Sequence, residues 1–224
     1  MSFPEVGSKT FYILVLTASL VITRIPFLGR FVRTTNTVFH ELGHALMALF
    51  TSGSILKIQL SYDTSGSIHT QSKYWIAKVF VSLAGYPFAS AIAYAFWWLI
   101  KSEQYSIILI VTTIAIALSL VLWVRNTYGV IWCLLSLSGL FATFYFKKDF
   151  AIEALAIIIT GVITIESIVS AFVLLYISLT SPKEAGDATN LKTFTYVPAF
   201  IWGLLFVGIS LVAGYLAIVK QLLV

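Results

Sequence analysis

Only three histidines occur in this chain of 224 residues, and two of them flank a glutamate in His40-Glu41-Leu42-Gly43-His44. Side chains at i and i+4 lie on one face of an α-helix, one turn apart, so the imidazoles of His40 and His44 can reach a single metal ion. Glu41 then points close by without being a ligand, where it can take a proton from a water held at the metal. Zinc suits the set, being borderline-soft, bound by imidazole and carboxylate, and open to water in catalytic sites. Hydrolysis with Glu41 as the base is the chemistry this pattern fits. A histidine or glutamate in a lipid-embedded helix costs on the order of a few kcal/mol unless paired or liganded, which counts against an idle cluster.

A catalytic zinc takes a third protein ligand. Cys133 is the only cysteine and sits in an apolar run, where a small buried hydrophobe is expected, and His69 lies apart from the other two histidines. The carboxylates Asp63, Asp149, Asp187, Glu153 and Glu166 are therefore the candidates. Glu166 stands midway along an apolar span, where it could ligate metal, orient an imidazole from behind, or bond to a neighbouring helix. Asp63 reads as a turn residue, and Asp149 with Lys147 and Lys148 as an interfacial charge cluster. Asn126 follows Arg125 at a helix end, either as an interfacial anchor or as an amide for an extended substrate backbone.

The elements that must position these groups are mostly helices of spanning length. Apolar runs mark them at about 11–28, 75–100, 105–124, 129–146, 151–179 and 196–222. A shorter, more polar helix over about 35–50 carries the two histidines, with Thr34, Thr35 and Asn36 as capping oxygens and Gly53 just past its end. That predicts an all-α membrane protein, a polytopic bundle of about six to seven transmembrane helices forming one membrane-embedded domain over 1–224. One segment breaks the helical pattern. Leu56, Ile58, Leu60 and Tyr62 alternate with Lys57, Gln59 and Ser61, and Asp63-Thr64-Ser65-Gly66 follows. Alternation around a glycine-containing turn predicts a β-hairpin over about 55–70. The residues at about 180–195 read as a late polar loop.

Composition agrees. The chain is 59% hydrophobic and 10% charged, with mean hydropathy +0.97. A soluble domain carries roughly a quarter charged residues, so this chain must be solvated largely by the lipid bilayer, in a multi-pass position expected to be the cell membrane. The formal charge of +5 comes from basic residues scattered at the ends of apolar runs. That is the pattern of membrane anchors, and it excludes a nucleic-acid partner. No small-residue cleavage site follows the first run; Arg24, Pro26, Arg30 and Arg33 come instead, so the first helix is expected to be retained.

His40-Glu41-Leu42-Gly43-His44-Ala45-Leu46, followed by a short β-like segment, resembles the M50 site-2 protease family of intramembrane metalloproteases, and most of all its small M50B-like branch. Leu83-Ala84-Gly85-Tyr86-Pro87, Trp123-Val124-Arg125-Asn126, and Gly186-Asp187-Ala188 with Leu191, Thr195, Pro198 and Trp202 carry the resemblance along the chain. The resemblance implies a Zn2+ endopeptidase that cuts a transmembrane protein substrate within or near its membrane helix. It points to Asp187 as third ligand, although better-known members set that aspartate in an Asn-Pro-Asp-Gly or Leu-Asp-Gly context. The rival expectation is an inactive relative, or a membrane scaffold or transporter whose polar cluster is structural.

Overall fold

Pro26 has no backbone N–H to give a helix, and the chain bends there by 111° between its first two helices. The computed structural model describes residues 8–71 and 74–222. Helix α1 (Lys9–Arg24) starts at Ser8, whose hydroxyl accepts the Phe11 N–H at 3.2 Å. Its 16 residues rise only about 24 Å, too short to cross a bilayer alone. Helix α2 (Leu28–Phe50) begins seven residues earlier than the sequence pattern predicts. Thr34, Thr35 and Asn36 are therefore interior residues and not its cap; Thr34 Oγ1 donates to the Arg30 carbonyl at 2.9 Å. Arg30, Arg33 and these polar residues interrupt the apolar run without interrupting the helix. At its far end, the Gly53 N–H closes onto the Ala48 carbonyl at 2.8 Å.

Strands β1 (Ser54–Leu60) and β2 (Gly66–Gln71) form the antiparallel hairpin, with Ile58 opposite Ile68 and Leu60 opposite Gly66. Asp63 Oδ1 accepts from the backbone N–H and hydroxyl of Ser65, at 3.0 and 2.6 Å, and closes the turn. These two bonds hold its carboxyl below the ordinary carboxylate range. The outer edge of β1 is occupied as well: Ile58 donates to the Trp123 carbonyl at 2.9 Å, and Asn126 binds Leu60 through both N–H (3.1 Å) and C=O (2.6 Å). Among the described residues no strand pairs with the outer edge of β2.

Helices α3 (Trp75–Lys101), α4 (Tyr105–Leu122), α5 (Thr127–Tyr145), α6 (Asp149–Thr180) and α8 (Ala199–Leu222) are each long and apolar enough to span. With α1 and α2 counted as one broken span, six crossings result, the lower end of the expected range. The protein is an integral, multi-pass membrane protein. Helices α3 and α6 are central, half of their apolar windows buried, whereas α5 is buried over only 22% of its window. Trp97, fully buried, donates to Thr164 Oγ1 at 2.9 Å and packs against Phe11 and Tyr12. Large apolar side chains on the outside, such as Val121, Phe141 and Phe172, face lipid, where their exposure carries no hydrophobic penalty.

The late polar loop is not a plain loop. Residues Gly186–Thr195 form a short helix, α7. Ala185, Ala188 and Leu191, at helical spacing, are buried in an apolar cluster with Val79, Leu174 and Phe206. That docked stripe, rather than hydropathy, is what makes the segment helical. The Phe194 carbonyl, near its end, takes a hydrogen bond from Trp75 Nε1 at the start of α3.

Candidate metal centre

Helix α2 carries its polar residues on one face, and α3, α6, α7 and β2 close around that face to leave a cavity of about 810 Å³. His40, Glu41 and His44 line it, and so does Asp187, brought in by α7. His40 Nε2 and His44 Nε2 stand 3.0 Å apart. Asp187 Oδ2 is 3.2 Å from each of them. Of the described residues, these three form a group of His, Cys, Asp and Glu side chains able to hold a metal ion.

The tautomer of His44 follows from its other nitrogen. Nδ1 faces the Val81 carbonyl at 2.6 Å, and a carbonyl only accepts, so Nδ1 carries the proton. In the neutral ring this leaves a lone pair on Nε2, aimed at His40 and Asp187. Three electron-rich atoms at 3.0–3.2 Å repel one another unless a cation or a shared proton sits among them. At a zinc–ligand distance of about 2.0–2.1 Å, adjacent corners of a tetrahedron lie about 3.3 Å apart. The donor atoms and their spacing fit zinc.

Asp187 gains from its place in the first turn of α7, where free backbone N–H groups favour negative charge. Burial by itself would raise its carboxyl. The facing rings of His44 and His40, in their protonated form, outweigh burial and hold it well below the usual carboxylate range. Glu41 is 3% exposed, and its Oε2 has no hydrogen-bond partner. Such a buried, unmet acceptor is costly in a resting protein and useful in one that receives a proton.

Two close approaches build this geometry. A Cβ on Gly85 of α3 would lie within 2.7 Å of atoms of both His40 and His44, so only glycine lets α3 come near enough for Val81 to reach His44. A Cβ on Gly66, the first residue of β2, would collide with the Glu41 carboxylate and Thr37. The Tyr86 ring stands nearly perpendicular to that of His40, centroids 4.6 Å apart, and stacks on Phe206. Gly66 was legible in the sequence only as part of the hairpin turn, and the Val81 carbonyl had no signal there. Gly85 and Tyr86 stood in a recognised stretch but without a role.

The other candidates do not join the triangle of His40, His44 and Asp187. Glu166 lines the same cavity but bonds to Arg24 at 3.2 Å; the Val81 carbonyl, and not Glu166, is the group behind His44. Asn126 spends its amide on β1 of its own chain. Asp149 and Glu153 sit in the first turns of α6, outside the cavity lining. His69 is exposed on β2 opposite Lys57, and Cys133 is buried in the core.

The Peptidase M50B-like family model matches residues 13–217, nearly the whole chain. No curated protein and no solved structure matches it.

Proposed function

This chain belongs to the Peptidase M50B-like family, and from that premise we propose that it is an intramembrane zinc endopeptidase acting on membrane-spanning proteins. The observation that carries the reading is the triangle of His40 Nε2, His44 Nε2 and Asp187 Oδ2, all within 3.2 Å, beside the unmet Glu41 carboxylate in a polar cavity. His40, His44 and Asp187 would hold the ion, and zinc bound there supplies a Lewis acid that polarises a carbonyl and eases the ionisation of water.

The chain's own residues do the rest. Glu41 Oε2 accepts the proton of the attacking water and returns it to the leaving amine. The Val81 carbonyl keeps His44 in the tautomer with a free Nε2. Gly66 seats Glu41 against the start of β2, so the base and the hairpin are in register. A helical substrate hides its carbonyls in its own hydrogen bonds and must unwind before attack. The outer edge of β2, whose residues Gly66, Ser67, Ile68 and Thr70 line the cavity, offers backbone groups for the unwound strand.

Purified protein is expected to carry one zinc per chain, and Glu41→Gln to keep that zinc while cleavage of a single-span reporter in proteoliposomes falls by about 10²–10⁴-fold. Metal-free protein in which Glu41→Gln changes nothing would sink the peptidase reading. The cluster would then be a structural ion pair in a membrane scaffold or transporter.

A further inference from the structure

The cavity has a second polar end that hydrolysis does not use. Arg33 precedes His40 by seven residues on the same face of α2, and Asn36 lies between them. Arg24 comes in from the end of α1 and Glu166 from α6, joined at 3.2 Å with the Glu166 side chain 7% exposed. Arg33 Nε is buried without a hydrogen-bond partner, and so is Oδ1 of Asn36, a residue only 6% exposed. Two guanidinium groups therefore face one carboxylate. Arg24 already occupies that carboxylate, and among the described residues Arg33 has no carboxylate partner of its own. A buried charged donor and a buried acceptor left open together are unfavourable, and a ligand that meets both relieves that cost.

We propose that this end is a subsite for an acidic side chain of the substrate, its carboxylate pairing with the half-buried Arg33 guanidinium while the Asn36 amide turns its Oδ1 to accept a main-chain N–H of the same residue. The proposal rests on the reading that an extended peptide enters the cavity. An unpaired guanidinium matches a monoanionic carboxylate, and a main-chain N–H supplies the donor that Asn36 lacks; a lipid phosphodiester supplies none. Spacing sets the position. Seven helical residues rise about 10 Å, and an extended chain advances about 3.3 Å per residue. The acidic residue thus sits about three residues from the scissile bond.

The test is a binding series in which cleavage plays no part. A single-span reporter of about 20 residues, interrupted by one Asn-Pro pair, carries a single Glu or Gln at successive positions around that break. Affinity for zinc-loaded Glu41→Gln protein in nanodiscs is read by fluorescence anisotropy at neutral pH. In one register the Glu reporter should bind about tenfold or more tighter than its Gln partner, the worth of a charge-assisted hydrogen bond. Adding Arg33→Gln should bring that ratio to about one, and Arg33→Glu should transfer the preference to a Lys reporter in the same register. A ratio near one in every register, absence of binding included, overturns the subsite, as does a Glu preference that survives Arg33→Gln. Hydrolysis of the same reporters by the wild-type chain is scored separately. An Arg33-dependent preference without any hydrolysis would keep the subsite and sink the peptidase.

Discussion

The outer helix α4 and the inner helix α2 are both embedded in the membrane domain, yet they treat polar groups in opposite ways. On α4, Thr112, Thr113 and Ser119 each donate to the carbonyl four residues back, at 2.8, 2.7 and 2.8 Å. Nothing polar is left over on these side chains: Thr112 and Ser119 are buried against the bundle, and all three hydroxyls are folded onto their own helix. On α2 the stripe Arg33, Asn36, Thr37, His40, Glu41 and His44 faces the cavity, and Arg33 Nε, Asn36 Oδ1 and Glu41 Oε2 are left unmet. Hydrocarbon has no water to satisfy an open group, so a span closes any polar side chain it does not use. Groups left open inside the bundle mark where something else binds. Ser136 Oγ on α5 and Trp202 Nε1 on α8, both outside the cavity lining, are exceptions.

The largest effects on this contrast should come from two single-atom intrusions. Gly85→Ala pushes a methyl into both imidazoles, and zinc affinity should fall by about 10–100-fold, as when a group that orients a ligand is lost. Gly66→Ala pushes a methyl into Glu41 instead, so zinc should stay while reporter cleavage drops by about 10²-fold from misplacement of the base. Zinc titration and cleavage of the two variants side by side separate the ligands from the base. Loss of zinc in Gly66→Ala would break that separation.

A smaller effect is expected where a polar group is embedded but fully used. Asn126→Leu leaves the Leu60 N–H and C=O without partners, and the outer edge of β1 should loosen by about 1–3 kcal/mol, read as faster amide exchange at Leu60. Unchanged exchange there would mean that the Ile58–Trp123 bond alone holds the hairpin to the bundle. Smallest of all should be Thr113→Val on α4. Its hydroxyl serves only its own helix, so the unfolding midpoint should shift by no more than about 0.5 kcal/mol allows. A large loss of stability would show that the outer hydroxyls matter too, and would dissolve the comparison.

Much of the architecture was legible in the sequence because lipid makes the rule simple. A long apolar run in a charge-poor chain has to span, and alternation at Leu56–Tyr62 has to be a strand. The errors fall where local pattern and packing disagree. Arg30, Arg33 and Asn36 look like a break because polar residues usually end a span, yet α2 runs through them, since the cavity receives Arg33 and Asn36 and the Arg30 guanidinium lies over the Tyr62 ring. Residues 186–195 look like a loop because most of them are polar, yet α7 forms, since Ala185, Ala188 and Leu191 find an apolar seat between α3, α6 and α8.

The same division runs through the site. By itself the sequence determined that His40 and His44 share a helical face with Glu41 between them, because four residues of helix make little more than one turn in any context. It also determined immersion in lipid, because so few charges cannot cover a surface in water. Only the tertiary structure decided that Asp187 meets those two rings, that the Val81 carbonyl backs His44, and that Gly66 touches the base. Those contacts join residues far apart along the chain. Their existence depends on how helices pack, which no local spacing encodes.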